Sequence, residues 1–178
     1  MADRVNTQAL EMFFQELGKR YEEPAMLYLV GGSALVLLGS DRPTLDIDYV
    51  GIDIPGLWDE LQRLIDEIAT EMDLKIEAVP YREMIPLSSD TEERHIYVGR
   101  YGTIDVYVFD PYAMALGKLD RGFPSDLEDI VFMLEHNLLN LPQFEKVVQD
   151  ALPVADQYDM NPAQMQKNLN AVRILLKR

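Results

Sequence analysis

The chain has 178 residues, a length that suits one domain of ordinary size or a small α/β unit with a helical annex. Cysteine is absent, which excludes disulfides and thiolate zinc sites, and the two histidines, His95 and His136, are too few for Ser-His or multi-His metal chemistry. The net charge of −15 repels polyanions at long range, so action on RNA or DNA would need a local basic patch or a basic partner. No apolar run approaches the ~20 residues of a membrane span. The opening stretch "MADRVNTQALEMFFQELGKR" lacks the apolar run of a signal peptide, so a cytoplasmic protein with no membrane partner is expected.

Asn6 or Thr7 caps a helix whose apolar stripe is Leu10, Phe13, Phe14, Leu17 and Tyr21, and Glu22-Glu23-Pro24 ends it. "MLYLV" reads as a buried strand, followed by Gly31-Gly32. Ser33 to Leu38 reads as a short helix stopped by Gly39. After the turn "DRPT", "LDIDYVGI" is a strand in which acids alternate with β-branched and aromatic residues. Pro55-Gly56 opens an amphipathic helix with Leu57, Leu61, Leu64, Ile65, Ile68 and Met72 on its apolar side. "LKIEAV" is a strand, residues 80–94 a loop, and "HIYVG" and "TIDVYVF" a hairpin joined by "RYG". From Pro111 onward the pattern is helical: segments beginning near Pro111, Pro124, Pro142 and Pro162 each place proline in a first turn. Strands followed by helices make the fold class α+β, with an α/β core over 1–110 and a C-terminal helical region over 111–178.

The acids at 46 and 48 carry the chemistry. Residues i and i+2 of a strand share a face, so Asp46 and Asp48 project side by side while Ile47 faces the core. Two carboxylates this close repel, and a divalent cation resolves the repulsion. Mg²⁺ takes few carboxylates and completes its shell with water and substrate phosphates. Upstream, Gly31-Gly32-Ser33 lies between a strand and a helix start, where backbone N–H groups suit a phosphate and glycine permits close approach. A phosphate site beside a metal site is what phosphoryl or nucleotidyl transfer requires.

The stretch "GGSALVLLGSDRPTLDIDYV" resembles the nucleotidyltransferase superfamily that includes DNA polymerase β, with its Gly-Ser, short helix and Asp-hydrophobic-Asp. It is most similar to small bacterial nucleotidyltransferases of the abortive-infection and toxin–antitoxin type, where Arg-x-Thr-x-Asp-hydrophobic-Asp is typical. The resemblance covers roughly residues 28–50 and resumes over 104–134, where Lys118, Leu119 and Arg121 precede Asp126 and Asp129. It implies a mixed sheet flanked by helices. Gly32 and Ser33 would hold the triphosphate of an NTP such as ATP, and Asp46 and Asp48 would ligate Mg²⁺ or Mn²⁺. Lys118 would contact the nucleotide phosphates or help activate the acceptor, Asp126 would belong to the same site with Arg121 in support, and Arg42 and Thr44 would shape the loop before the acids. In the toxin-like relatives the Lys and Asp motifs lie further apart than Lys118 and Asp126 do.

Polymerase-like members use a third acid on a neighbouring strand. Asp105 in "TIDVYVF" is the natural candidate for catalytic and metal-binding work, with Glu77 in "LKIEAV" as the alternative. Lys118 and Arg121 share a helix face and are the only bases between Tyr101 and Phe144. Salt bridges to Asp120, Asp126 or Asp129 are the structural alternative for them. The resulting expectation is a metal-dependent nucleotidyltransferase moving an NMP from an NTP to an acceptor hydroxyl on an RNA 3′ end, a protein or a small molecule. A toxin role with an antitoxin partner follows from the resemblance. The alternatives are a catalytically silent nucleotide-binding module of the same fold and a partner-binding subunit that uses its acidic surface.

Overall fold

The computed structural model describes residues 5–51 and 58–177. The chain divides into two compact units, one made of Met1–Pro80 and Ile96–Phe109, the other of Tyr81–His95 and Asp110–Arg178.

The first unit is built on five strands: β1 (Ala25–Val30), β2 (Asp46–Val50), β3 (Lys75–Val79), β4 (Ile96–Tyr101) and β5 (Ile104–Val108), in the order β3-β2-β1-β5-β4. The sheet is mixed: β1 runs antiparallel to β2 and parallel to β5, β2 parallel to β3, and β4 antiparallel to β5. Helices α1 (Thr7–Arg20), α2 (Gly31–Leu37) and α3 (Trp58–Glu71) complete the unit. Asn6 caps α1 by accepting the Ala9 N–H at 2.9 Å, and Leu10, Phe13, Phe14 and Leu17 are its buried stripe. Pro55, Gly56 and Leu57, expected at the start of α3, lie outside the described residues.

Alternation gives the sheet two unlike faces. On one, Leu27, Leu29, Ile47, Tyr49, Val106 and Val108 are at most 1% exposed. This face meets the helices: the Tyr49 hydroxyl donates to Gln62 of α3 at 2.6 Å, and the ring of Phe14 of α1 packs 5.2 Å from that of Tyr101. On the other stand Met26, Tyr28, Asp46, Asp48, Glu77, Asp105 and Tyr107, all half-buried or exposed. The hairpin turn falls at Gly102-Thr103, with Arg100 and Tyr101 inside β4, because Gly102 supplies the positive φ of +60° that the turn needs.

The second unit contains α4 (Tyr81–Met84), a 3₁₀ turn (Thr91–Arg94), α5 (Pro111–Arg121), α6 (Pro124–Glu135), α7 (Leu141–Ala151), a second 3₁₀ stretch (Leu152–Tyr158) and α8 (Pro162–Leu175). Residues 80–94, expected as a loop, thus hold a short helix and a 3₁₀ turn; no long apolar period marks such short elements. Three helices start at the prolines expected, and α7 starts one residue before Pro142. Asp110, Asn140 and Asn161 supply the side-chain caps of α5, α7 and α8. Gly122 closes α5 at φ +64°, and a side chain there would run into Asn168, whose amide donates to the Leu119 carbonyl at 2.6 Å. Among the described residues no helix is long and apolar enough to cross a membrane.

Candidate functional site

The first unit gathers the motif residues at the C-terminal end of β1. Gly31 takes φ +67° as the chain turns from β1 into α2, and the helix begins two residues earlier than the apolar pattern suggests. Its lack of a side chain has a second reason. A Cβ on Gly31 would collide with the Asp48 carboxylate, so this backbone lies directly against that acid. A Cβ on Gly32 would come within 2.7 Å of the Thr44 hydroxyl. Gly31 is therefore required by Asp48 of the next strand, and Gly32 by Thr44 of the loop that leads into it.

Ser33 is wholly buried. Its hydroxyl donates to the Val30 carbonyl at 3.2 Å and accepts the Asp48 backbone N–H at 3.3 Å. The side chain thus ties α2 to β2, and what this residue offers a phosphate is its backbone. Thr44 fixes the neighbouring acid: its hydroxyl donates to the Asp46 carboxylate at 3.2 Å. Arg42 is exposed on the loop before it. Asp46 and Asp48 are both half-buried and flank the fully buried Ile47, as strand alternation requires.

The sheet register decides which third acid accompanies the pair. Asp48 sits opposite Glu77 of β3, and Asp46 opposite Lys75. Residues in register share a face, so Glu77 stands on the Asp46/Asp48 side one strand away, ~5 Å between backbones. Asp105 shares that face too, but its register partner is Met26, four residues along β1 from the Val30 that pairs with Asp48. That is ~13 Å along the strand and two strands across. Asp105 instead accepts from the Tyr97 hydroxyl at 3.4 Å and faces Arg100 at 3.9 Å. Phe109, fully buried, follows β5 at the level of Val30, its N–H donating to the Leu29 carbonyl at 2.9 Å. The structure therefore does not bring Asp105 to the pair, and the acid it does bring is Glu77. Strand order, which a single sequence does not reveal, separates the two candidates.

A groove of about 570 Å³ opens at the β3 edge, where Asp46, Lys75 and Glu77 meet Asp66 and Thr70 of α3. Among the described residues no group of three or more His, Cys, Asp or Glu side chains forms a ready metal cage. The donor set still fits Mg²⁺, which is held by one or two carboxylates together with water and substrate phosphates.

The remaining predicted residues form a cluster inside the second unit. Lys118 is buried and its ammonium lies 2.6 Å from Asp129 and 3.6 Å from Asp126. Arg121, more than half exposed, reaches Asp126 at 2.7 Å. Asp126 also accepts the Phe123 N–H at 3.3 Å at the start of α6. Lys118 and Arg121 of α5 are thus matched to Asp126 and Asp129 of α6, the pairing that the sequence offered as their structural alternative. Asp129 belongs to this cluster as its shortest contact.

A mixed five-stranded sheet with Gly-Gly-Ser after one strand, Asp-Ile-Asp on the next and helices behind is the α+β architecture of a nucleotidyltransferase. The chain belongs to the family described as Nucleotidyltransferase of unknown function (DUF6036), whose sequence profile matches residues 8–173. No curated protein and no solved structure matches the chain significantly.

Proposed function

We propose that the protein is an active, Mg²⁺-dependent nucleotidyltransferase that moves a nucleoside monophosphate from an NTP to an acceptor hydroxyl and releases pyrophosphate. The observation that carries this reading is the placement of Asp46 and Asp48 on one sheet face with the Gly31 backbone against Asp48. Asp46 and Asp48 would hold the cation, oriented by Thr44 and by the Ser33 tie to the Asp48 amide. When bound, the cation would supply charge neutralisation on the triphosphate. The backbone of Gly32 and Ser33 would take a phosphate, and Glu77 would serve as the third acid, beside the acceptor. Lys118, Arg121 and Asp126 enter as the phosphate-side residues that the family resemblance implies.

The acidic surface supports an acceptor with a small footprint, such as a short RNA end, a protein side chain or a small molecule, because many phosphate contacts need many bases. A toxin paired with an antitoxin in the cytoplasm belongs to the same proposal and rests on the resemblance. The test is incubation with each α-labelled NTP, Mg²⁺, cellular RNA and lysate protein, beside an Asp46→Asn/Asp48→Asn control. Label in one macromolecular band, absent from the control, supports transfer and names the acceptor class. Mg²⁺-dependent nucleotide binding with no pyrophosphate released from the NTP in the presence of any acceptor would leave the silent nucleotide-binding module in its place.

A further inference from the structure

The helical unit is made of two chain segments, and His95 and Asp110 are where they meet: one ends the first segment, the other opens the second. The His95 side chain is 5% exposed. Its Nδ1 accepts the backbone N–H of Asp110 at 3.1 Å. Its Nε2 faces the Glu92 carboxylate at 3.3 Å. An imidazole nitrogen accepts only while it carries no proton, so this geometry holds His95 as the neutral tautomer protonated at Nε2.

Asp110 in turn starts α5. Its fully buried carboxylate accepts the Tyr112 N–H at 2.9 Å, the Thr91 hydroxyl at 3.0 Å and the Arg94 guanidinium at 3.0 and 2.6 Å. Arg94 also lies over the Tyr112 ring, 4.7 Å from its centre. The carboxylate side of this cap is saturated and neutralised by Arg94. The amide of the same residue depends on one acceptor, and that acceptor can be protonated.

We propose that His95 is an acid-sensitive latch on α5: protonation at Nδ1 withdraws the acceptor of the Asp110 amide and loosens the first turn of the helix that carries Lys118 and Arg121. The charged groups facing the ring are Glu92 from the 3₁₀ turn, Asp110 at the cap of α5 and Arg82 from α4. Burial dominates among these influences and lowers the imidazole from its ordinary value near 6.5, with Glu92 and Asp110 opposing and Arg82 assisting. The direction follows: the neutral form is favoured by the fold, so the latch is complete above about pH 6.5 and is lost as pH falls through the lowered value. The latch stands on this geometry and does not depend on the transfer reaction.

The test is an NMR titration of the full chain from neutral to acid pH, following the His95 ring nitrogens and the Asp110 amide exchange rate corrected for its intrinsic pH dependence. The expected result is the Nε2–H tautomer at neutral pH and a loss of Asp110 protection of about tenfold in step with His95 protonation. His136 is exposed and bonded to the Phe132 carbonyl, and His136→Gln is the control variant, expected to leave the pH dependence of that amide unchanged. His95→Asn, whose carbonyl oxygen replaces Nδ1 as a non-titrating acceptor, is expected to keep the amide protected throughout. His95→Phe is expected to expose it at every pH. An Nδ1–H tautomer at neutral pH would overturn the latch. So would Asp110 protection that stays flat through the His95 titration, or a His95→Asn protein that keeps the wild-type pH dependence.

Discussion

The Ser33 hydroxyl accepts the backbone N–H of Asp48 at 3.3 Å while donating to the Val30 carbonyl at 3.2 Å. One buried side chain therefore sets the position of the strand that carries both acids. Ser33→Ala leaves a strand amide without that acceptor in a site wholly closed to water, so stability is expected to fall by ~1–3 kcal/mol in urea unfolding. Nucleotidyl transfer should fall with it through misplacement of Asp48. Ser33→Ala with wild-type stability and turnover would refute the tie.

Gly31→Ala meets two obstacles together, a positive φ and the Asp48 carboxylate where the Cβ must go. The backbone conformation alone costs ~1–2 kcal/mol, and the collision displaces Asp48. The variant is expected to lose transfer activity more than stability. Gly39→Ala shares the positive φ but meets nothing within 4 Å. It should cost stability alone, and comparing kcat for the two variants separates the effects.

The register predicts a division between two acids. Glu77→Gln is expected to lower turnover by at least about tenfold, in keeping with loss of a group that assists proton transfer. Asp105→Asn is expected to stay within about twofold of wild type, since Asp105 lies by Tyr97 and Arg100. Steady-state pyrophosphate release measures both, and the reverse ranking would overturn the reading of the register.

Lys118 and Asp129 are 4% and 2% exposed and 2.6 Å apart. Lys118→Met leaves the Asp129 and Asp126 carboxylates buried beside a missing charge, which is expected to destabilise the fold by ~3–5 kcal/mol. Adding Asp129→Leu should recover much of that loss, because it removes the carboxylate nearest the lost ammonium and leaves Asp126 to its pair with Arg121. Urea denaturation of the four proteins of this cycle gives the coupling, and additive losses would show that the pair does not act as a unit.

Burial raises the Tyr49 hydroxyl to about 12, above the usual tyrosine value. A raised folded value means that this contribution is complete below about pH 10 and is lost as pH rises towards 12. Stability is thus expected to decline along an alkaline limb, by an amount on the order of 2 kcal/mol for this group. Tyr101, raised to about 12 by burial and by its bond to Glu11, adds to the same limb. Tyr49→Phe should shallow the decline in guanidinium melts between about pH 10 and 12.

Local chemistry was legible from the order of residues. The apolar stripe of α1, the proline-started helices and the alternation of β2 each follow from a period or a cap within a dozen neighbouring residues. So does the sharing of one face by Asp46 and Asp48, because alternation follows from the extended backbone of a strand. The split of residues 80–94 into a short helix and a 3₁₀ turn was not legible, since four-residue elements carry no periodic signal.

What needed the folded chain were relations between segments distant in sequence. Strand order places Glu77 beside Asp48 and Asp105 towards the other end of β1, although both acids lie on strands of similar pattern. Packing decides that the Ser33 hydroxyl is bonded to backbone on both sides, and that Lys118 is buried against Asp129. The reason is physical. Periodicity and caps arise from contacts between near neighbours, whereas register and ion pairing depend on which distant segments the core and sheet hold side by side.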